Sequence, residues 1–511
     1  MRRQILALLL VLAMLAGCGP QQNAQTGPTP AAGGAPATAD RPAATALPAP
    51  TAAPAATVPA PAATDAPQAT AAPMATAAPP ATGEAGPSGT ASVIYRVPAD
   101  GSLRSADIGG GAEIVLGDPT EPGQRLPWSA SPDGRTVALV SGGGWSGKQG
   151  QPVRASLWAV GVDGSDPRRL LDLIGATPPD VGLGGDWLAL TGEQFQRLPW
   201  TPDGRAVVVA SAHEGQVDLY AVEVATGAAR RLTATPLLEF GASVAPGGGV
   251  LAYGSASSFG TGGGWADVGA WLLPLDGGEP RPALLPEAGA EPPAALSVAG
   301  WLGDDRLVVQ ATSMGVTSST IWVTEGDAPP RPLYSAPGRP ALDLQGDTLL
   351  FADQAHGQEG SLWRWRAGEA DPQQLAPLGL ADALYANPNG EEALICAGGR
   401  GQEGGLLLWS GGRLASVSGS CGRPAWSAGG RVALPGEPAG DGAGLIVGMD
   451  GGVQFSMGPG ALPAGWLGDT LFFFGQEGAG WQLLRTDGTN TLPLLSAGGA
   501  PEAPLLVVRA P

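Results

Sequence analysis

The sequence predicts an all-β protein, a single β-propeller of four-stranded blades that follows a disordered tether. Three observations lead to this prediction. A tight turn with its flanking strands occurs twice, as LPWSASPDGRTVALV at 126–140 and as LPWTPDGRAVVVA at 198–210. A second strand–turn–strand pattern recurs through the rest of the chain. The N-terminal part has a different composition, in which a leader precedes a segment rich in Ala, Thr and Pro.

Residues 1–17 have the organisation of a bacterial lipoprotein signal peptide. The basic MRRQ precedes ILALLLVLAMLA, an apolar core too short to span a bilayer comfortably. The segment ends in LAGC at 15–18, which resembles the lipobox, where cleavage precedes the cysteine and the thiol receives diacylglycerol. We therefore expect lipidation of Cys18 and an extracytoplasmic protein anchored to a bacterial membrane, at the cell surface or in the periplasm. The alternative is a plain secretory signal in which Cys18 is incidental.

Residues 18–90 are predicted to form the lipidated Cys18 and a disordered linker. The stretch PAATALPAPTAAPAATVPAPAATDAPQAT contains no aromatic residue and hardly any charge. Such a segment cannot bury enough apolar surface to offset the entropy lost when its backbone is ordered. We expect an extended, polyproline-II-rich tether that holds the domain at 91–511 away from the membrane.

The domain at 91–511 consists of repeats of a unit with two halves. The first half has a Trp or another apolar residue, a tight turn such as SPDG at 131–134, and an apolar β-branched run. The second half has an apolar-aromatic strand, an Asp-Gly turn and a short strand with Arg, as in SLWAVGVDGSDPRRLL at 156–171. Eight such units predict eight blades. Each blade must stack on its neighbours to bury its faces, so we expect the aromatic residues to pack between blades.

Both ends of the domain contribute to the predicted closure of the ring. Residues 92–105 resemble a second half without a first half, and APLLVVRA near the C terminus can supply the missing strand. One blade shared between the two ends would lock the ring. Eight blades are expected and seven are the main alternative. Nine follow if the shared blade is additional to the eight units.

The repeat resembles that of a known family. A W-S/T-PDGR turn, an apolar strand and then LW-x-V-x-DG-x-x-RRL are similar to the TolB-like, WD40-like propeller repeat of periplasmic and secreted bacterial proteins. The resemblance is clear in the first two units and degenerate in the later ones, and it implies the propeller fold for 91–511. A tether stands here where TolB has an α/β domain, so the resemblance does not imply TolB's partners.

Charge limits the choice of partner. The formal net charge is −19 at pH 7, and no cluster of Lys and Arg offsets it. This acidic balance argues against nucleic acid and against adsorption to anionic lipid. We expect a monomer that touches the membrane through its N-terminal lipid and binds an unidentified envelope protein or glycan.

The turn lengths predict which face of the propeller binds. In a meander the PDG and DG turns share one face, while the connections between halves and between units share the other. The long connections, 141–154, 172–196 and 255–269, all belong to the second face, and insertions confined to one face often mark binding. Trp145, Phe259 and Trp265 lie in these connections and are candidate contact residues. The alternative is that Trp145 and Trp265 fold back onto the rim of the propeller.

No catalytic, metal-binding or cofactor-binding residue is predicted. His213 and His356 fall in turns where later units have GQEG, so the turn recurs and the histidine does not. The Asp-Gly pairs lack the spacing of a calcium loop, and the glycine runs lack the Lys of a phosphate loop. Cys396 and Cys421 fall on adjacent units. They can form a disulfide outside the cytoplasm, or remain two separate thiols.

The expected function is that of a non-enzymatic, membrane-anchored propeller that serves as a protein-interaction scaffold of the cell envelope. One alternative is a glycan or small-ligand receptor that uses the mouth of the channel. Another is a lyase or hydrolase with carboxylates and arginines in the central channel, because propellers host such sites and a fold does not decide a function.

Overall fold

The computed structural model describes most of the repeat domain. The described residues are 91–117, 126–142, 155–174, 197–260, 264–266, 268–285, 293, 295–313, 318–353, 360–379, 381–397, 405–437, 442–478 and 480–510. Regular structure within these ranges is strand and turn, without a helix, so the predicted all-β class is confirmed. Cys18 and the predicted linker lie outside the described residues.

The described strands form nine antiparallel sheets that are the blades and a tenth, two-stranded sheet that is an inserted hairpin. Eight blades have four strands, ordered from an inner strand to an outer strand at the rim, and one has three. Blade 1 begins with β1 (Ala91–Val97), β2 (Ser102–Asp107) and β3 (Ile114–Val115), and its inner strand comes from the other end of the chain. Blade 2 is β4 (Trp128–Ala130), β5 (Thr136–Ser141), β6 (Ser156–Gly161) and β7 (Arg168–Asp172). Blade 3 is β8 (Ala206–Ser211), β9 (Asp218–Glu223) and β10 (Ala229–Arg231), and a single bridge from Trp200 to Val207 takes the place of its inner strand. Blade 4 is β11 (Leu238–Val244), β12 (Val250–Ala256), β15 (Gly269–Pro274) and β16 (Arg281–Leu284), with the hairpin β13 (Ser258–Gly260) and β14 (Gly264–Ala266) inserted.

The later blades follow the same order without insertions. Blade 5 is β17 (Ala295–Leu302), β18 (Arg306–Thr312), β19 (Ser318–Glu325) and β20 (Arg331–Pro337). Blade 6 is β21 (Ala341–Gln345), β22 (Thr348–Ala352), β23 (Gly360–Arg366) and β24 (Gln373–Leu378). Blade 7 is β25 (Ala381–Ala386), β26 (Ala393–Ala397), β27 (Gly405–Ser410) and β28 (Arg413–Val417). Blade 8 is β29 (Ala425–Trp426), β30 (Arg431–Leu434), β31 (Ala443–Gly448) and β32 (Val453–Pro459). Blade 9 is β33 (Leu462–Leu467), β34 (Thr470–Glu477), β35 (Gly480–Thr486) and β36 (Thr491–Ala497), and β37 (Glu502–Val508) completes blade 1.

The core lies between the blades. Each of the nine apolar clusters among the described residues joins two neighbouring blades, and the last joins blade 9 to blade 1. Successive side chains of a strand point to opposite faces. Thus Ile94 packs against blade 2, whereas Val93 and Tyr95 pack against blade 9. Trp365 and Trp409 are buried in two of these clusters, which confirms that such aromatic residues pack between blades.

Strand pairing between the chain ends closes the ring and corrects the blade number. β37 pairs antiparallel with β1, with Ala91 opposite Val508 and Ile94 opposite Leu505. The predicted closure is confirmed. The eight-blade prediction is wrong, and so is seven, because the described part of the chain forms nine blades. The eight sequence units each form a blade of their own, and the shared blade is additional, as in the third alternative.

The two repeated turns have the same local structure. In each, the Asp side chain accepts a hydrogen bond from the backbone of the following Arg at 3.0 Å, and the Ser or Thr hydroxyl accepts one from the backbone five residues later at 3.0 Å. Gly134 and Gly204 both have φ of 68°, the left-handed region that glycine adopts without strain. The Asp-Gly pairs also lie in hairpin turns, as predicted. For example, Asp450 accepts a hydrogen bond from the backbone of Gly452 at 3.0 Å.

The antiparallel strand order divides the connections between two faces. The short-turn face has the turns between first and second strands and between third and fourth strands. The long-loop face has all other connections, including 116–127, 142–155, 173–199, 257–268 and 285–294. The segregation of long connections on one face, expected from the sequence, is therefore present.

Candidate binding site at the long-loop face

The predicted contact residues lie in the long-loop face connections. Trp145 falls outside the described residues. Phe259 and Trp265 are opposite each other in the register of the β13–β14 hairpin, which extends the connection between β12 and β15 of blade 4. The structure thus brings two of the three predicted positions together at the backbone level. Their side chains lie outside the part of the chain that the structure describes.

A disulfide joins two segments of the same face. Cys396 at the end of β26 is bonded to Cys421 in the connection between blades 7 and 8, with a Cα–Cα distance of 5.5 Å. Cys396 is buried in the cluster between these blades, whereas Cys421 is exposed. The bond ties the start of the inner strand of blade 8 to blade 7.

His213 is placed in a polar group of blade 3, and His356 lies outside the described residues. The Nδ1 atom of His213 is 3.0 Å from the hydroxyl of Ser211, and its ring stacks obliquely on Tyr220 with centroids 4.4 Å apart. No group of three or more His, Cys, Asp or Glu side chains in the described ranges could hold a metal ion.

Two fully buried carboxylates stand beside this group, and neither was singled out from the sequence. Asp218 accepts a hydrogen bond at 2.5 Å from Arg231, which also pairs with Glu214 at 3.2 Å. Burial raises the pKa of Asp218. Glu239 in β11 is also fully buried, and burial raises its pKa to about 8, with the charge of Asp218 adding to the effect. The hydroxyl of Thr235 donates to one Glu239 oxygen, while Oε2 has no hydrogen-bond partner among the described residues.

Arginines mark the long-loop end of the channel, where the inner strands begin. Arg197, Arg339 and Arg423 are exposed. They lie two or three residues before the Trp200 bridge of blade 3 and the inner strands of blades 6 and 8. No acidic side chain in the described part of the chain forms an ion pair with any of them. Sequence reasoning missed them although a signal exists. An Arg with a Pro one or two residues later recurs before inner strands, as RLPW at 125–128 and 197–200, RPAL at 339–342 and RPAW at 423–426.

Two open cavities lie along the inner strands. One, of about 920 Å³, is bounded by the inner strands of blades 8, 9 and 1 and has Arg423, Glu437, Trp426 and Trp466 in its wall. The other, of about 470 Å³, is bounded by the inner strands of blades 5, 6 and 7. Both volumes fall in the range of small-ligand sites, about 300–1,000 Å³. Both cavities are therefore large enough for a small ligand and have charged as well as apolar residues in their walls.

No family model matches the sequence, and no curated protein matches it. Among the described residues, none forms a helix long and apolar enough to cross a membrane.

Solved structures to which the chain is similar are β-propeller proteins of low sequence identity. TolB from Acinetobacter baumannii is 13% identical, with a TM-score of 0.30 over 56% of this chain and 65% of that chain. The dipeptidyl peptidase 4 of Porphyromonas gingivalis is 10% identical, with a TM-score of 0.48 over 79% of this chain and 59% of that chain. An oligogalacturonate lyase from Vibrio parahaemolyticus is 10% identical, with a TM-score of 0.40 over 67% and 87%. The chain spans less than two thirds of the TolB and peptidase chains, and these similarities concern the fold alone.

Proposed function

We propose that the protein is a lipid-anchored, extracytoplasmic binding module that holds a partner in the cell envelope through its long-loop face. The observation that carries the proposal is the segregation of connections. Short, repeated turns form one face, whereas the other has the long connections, the inserted β13–β14 hairpin and the cavity mouths. Loops on a rigid scaffold can vary without loss of the fold, and binding residues are concentrated there.

The anchor is supported by the leader and by composition. The basic start, the short apolar core and the LAGC sequence at 15–18 agree with lipidation of Cys18, and the Ala/Thr/Pro-rich residues up to 90 supply a tether. A disulfide between Cys396 and Cys421 fits a compartment outside the cytoplasm. In membrane fractionation, Cys18→Ser should move the protein from the membrane to the soluble fraction. Retention of the variant in the membrane fraction would contradict the lipid anchor.

The partner-binding role is tested by crosslinking the full-length protein in intact cells. Trp145→Ala with Trp265→Ala should abolish a specific crosslinked species that the wild type forms. Val453→Ala with Leu492→Ala is a matched control, because both are exposed apolar residues at the short-turn ends of outer strands. The purified partner should likewise bind the wild type and the control variant but not the Trp145/Trp265 variant. If both double variants crosslink and bind as the wild type does, the long-loop face is not the binding surface.

A small-ligand receptor is the second candidate, favoured by the cavity of about 920 Å³ with Trp426, Trp466 and Arg423 in its wall. Thermal shift of the full-length protein against glycans and metabolites separates the two candidates. A receptor is stabilised by one class of small molecule, whereas a scaffold is stabilised by its protein partner.

A further inference from the structure

The cavity of about 470 Å³ combines cations that come from distant parts of the chain. Its wall includes Arg339, two residues before β21 of blade 6, and Asp382 of blade 7, together with apolar residues of the neighbouring inner strands. Arg197 also contributes to the wall, although it belongs to blade 3. The wall of this cavity therefore combines Arg197 from the connection before blade 3 with residues of blades 5 to 7.

A buried amide holds one of the two guanidinium groups in place. Gln310, which is 4% exposed at the end of β18, accepts a hydrogen bond from Nε of Arg339 at 3.3 Å. The amide nitrogen of Gln310 donates to the carbonyl oxygen of Pro340 at 3.2 Å, which fixes the amide orientation. Arg339 is thereby positioned through Nε, while its two terminal nitrogens make no hydrogen bond or ion pair within the described residues.

The second guanidinium has no counter-ion at all in the described part of the chain. Arg197 is exposed to solvent in the cavity, but the protein atoms around it reduce its hydration and lower its pKa, and no carboxylate of the described residues offsets this effect. A guanidinium that is open to solvent and has no acidic partner among the described residues is free to donate to an incoming anion. Although the net charge of the protein is −19, these two arginines in one cavity wall make a locally positive site that attracts an anion.

We propose that this cavity binds a small molecule through its carboxylate group, with Arg197 and Arg339 as the carboxylate ligands. A planar guanidinium donates two parallel hydrogen bonds to a carboxylate. Asp382 in the same wall repels the second charge of a phosphate or sulfate dianion, and it accepts a hydrogen bond from a hydroxyl or ammonium group of the ligand. The proposal deepens the binding role proposed above by naming a ligand class for the channel end of the long-loop face.

Isothermal titration calorimetry of the purified full-length protein tests this site. The probes are acetate, lactate, succinate, glutamate and glucuronate, compared with phosphate, sulfate and chloride at equal ionic strength. We expect saturable binding of at least one carboxylate by the wild type. Arg197→Gln and Arg339→Gln should each weaken it about tenfold or more, because a charge-assisted hydrogen bond contributes about 1.5–3 kcal/mol. Arg413→Gln, at an exposed arginine of the outer strand β28, should bind as the wild type does.

A thermal-denaturation midpoint separates ligand binding from a structural role. Without ligand, Arg197→Gln should melt at the same temperature as the wild type or higher, since the exposed Arg197 forms no ion pair with an acidic side chain of the described residues. A lower midpoint would show that the guanidinium stabilises the fold and would overturn the proposal. Tighter binding of phosphate than of any carboxylate, or no saturable binding by the wild type, would also overturn it. The crosslinking test of partner binding uses loop variants and a protein partner, whereas this test uses Arg197 and Arg339 variants and small carboxylates. The partner-binding role can therefore fail while the carboxylate site stands, and the reverse.

Discussion

The short-turn face and the long-loop face are built by the same strands, yet their polar groups are satisfied differently. On the short-turn face, the aspartates of the repeated turns, Asp133 and Asp203, accept two kinds of hydrogen bond. One comes from the Ser or Thr hydroxyl two residues earlier, and the other from the backbone of the Arg two residues later. On the long-loop face, Glu239 is buried with one oxygen unpartnered, and Arg197 has no acidic partner among the described residues. The repeated turns thus satisfy their own polar groups within each turn. The long-loop face keeps polar groups without partners among the described residues, which is a property of binding surfaces.

Removal of the inner strand of blade 1 should have the largest effect. A chain truncated before Glu502 lacks β37, so the fully buried β1 would become an exposed sheet edge and the ring would stay open. We expect loss of the cooperative unfolding transition in near-UV circular dichroism and aggregation in size-exclusion chromatography. Truncation after Val508 is the control. It keeps the strand and removes the contacts of Arg509 with Ser92 and Asp107 and the hydrogen bonds of Ala510 with Asp133 and Arg135. It should therefore unfold cooperatively at a lower midpoint.

The disulfide gives the second-largest effect, on the long-loop face. Cys396 and Cys421 are 25 residues apart, and closing such a loop stabilises a protein by about 3 kcal/mol. Cys421→Ser should lower the free energy of unfolding by that amount in urea denaturation. The substitution is made at the exposed cysteine, so the buried Cys396 keeps its packing as a thiol. Reduced wild type should match the variant, and an unchanged midpoint in both would exclude a stabilising disulfide.

The two repeated turns of the short-turn face provide a matched pair. An added Cβ at Gly134 would lie 2.3 Å from the carbonyl oxygen of Val508, whereas one at Gly204 would lie 3.7 Å from Pro132. Each Gly→Ala change carries the strain of a left-handed backbone, about 1–2 kcal/mol. Gly134→Ala should lose about 1–3 kcal/mol more, since it also overpacks against the strand that closes the ring. Equal urea midpoints for the two variants would show that β37 does not pack against the turn that contains Gly134.

The smallest effect should be a stabilisation, on the long-loop face. Because the folded-state pKa of Glu239, about 8, lies above its ordinary value, its contribution to stability is present at low pH. That contribution is lost as the pH rises through 8. Glu239→Gln should therefore resemble the wild type at acidic pH and melt about 2 °C or more higher at pH 9.

Glu279→Gln is the control, at an exposed glutamate of a short turn, and should not change the pH dependence. The buried Asp218, whose pKa is also raised, should leave a residual slope of the same sign in the Glu239 variant. If the wild type and Glu239→Gln have parallel stability curves between acidic pH and pH 9, burial does not perturb Glu239.

The sequence by itself determined the blade, the turn and the closure. Residues within one unit dictate a tight turn, because Pro, Asp and Gly in fixed order set the local dihedrals and hydrogen bonds. Alternating apolar residues dictate strands with two buried faces, and an unpaired strand at each end of the domain dictates their pairing. The eight repeated units were recognised in this way, and each forms a blade.

The tertiary structure alone decided the blade number and the candidate carboxylate site. Whether the shared strands fill one of the eight blades or add another depends on ring closure, which no single unit specifies. Arg197 and Arg339 are 142 positions apart in the sequence and line one cavity only because the ring places them at the same end of the inner strands. Burial of Glu239 and the proximity of Cys396 to Cys421 likewise depend on how neighbouring blades stack. Local patterns fix short-range dihedrals, whereas distances between blades follow from the packing of the whole ring.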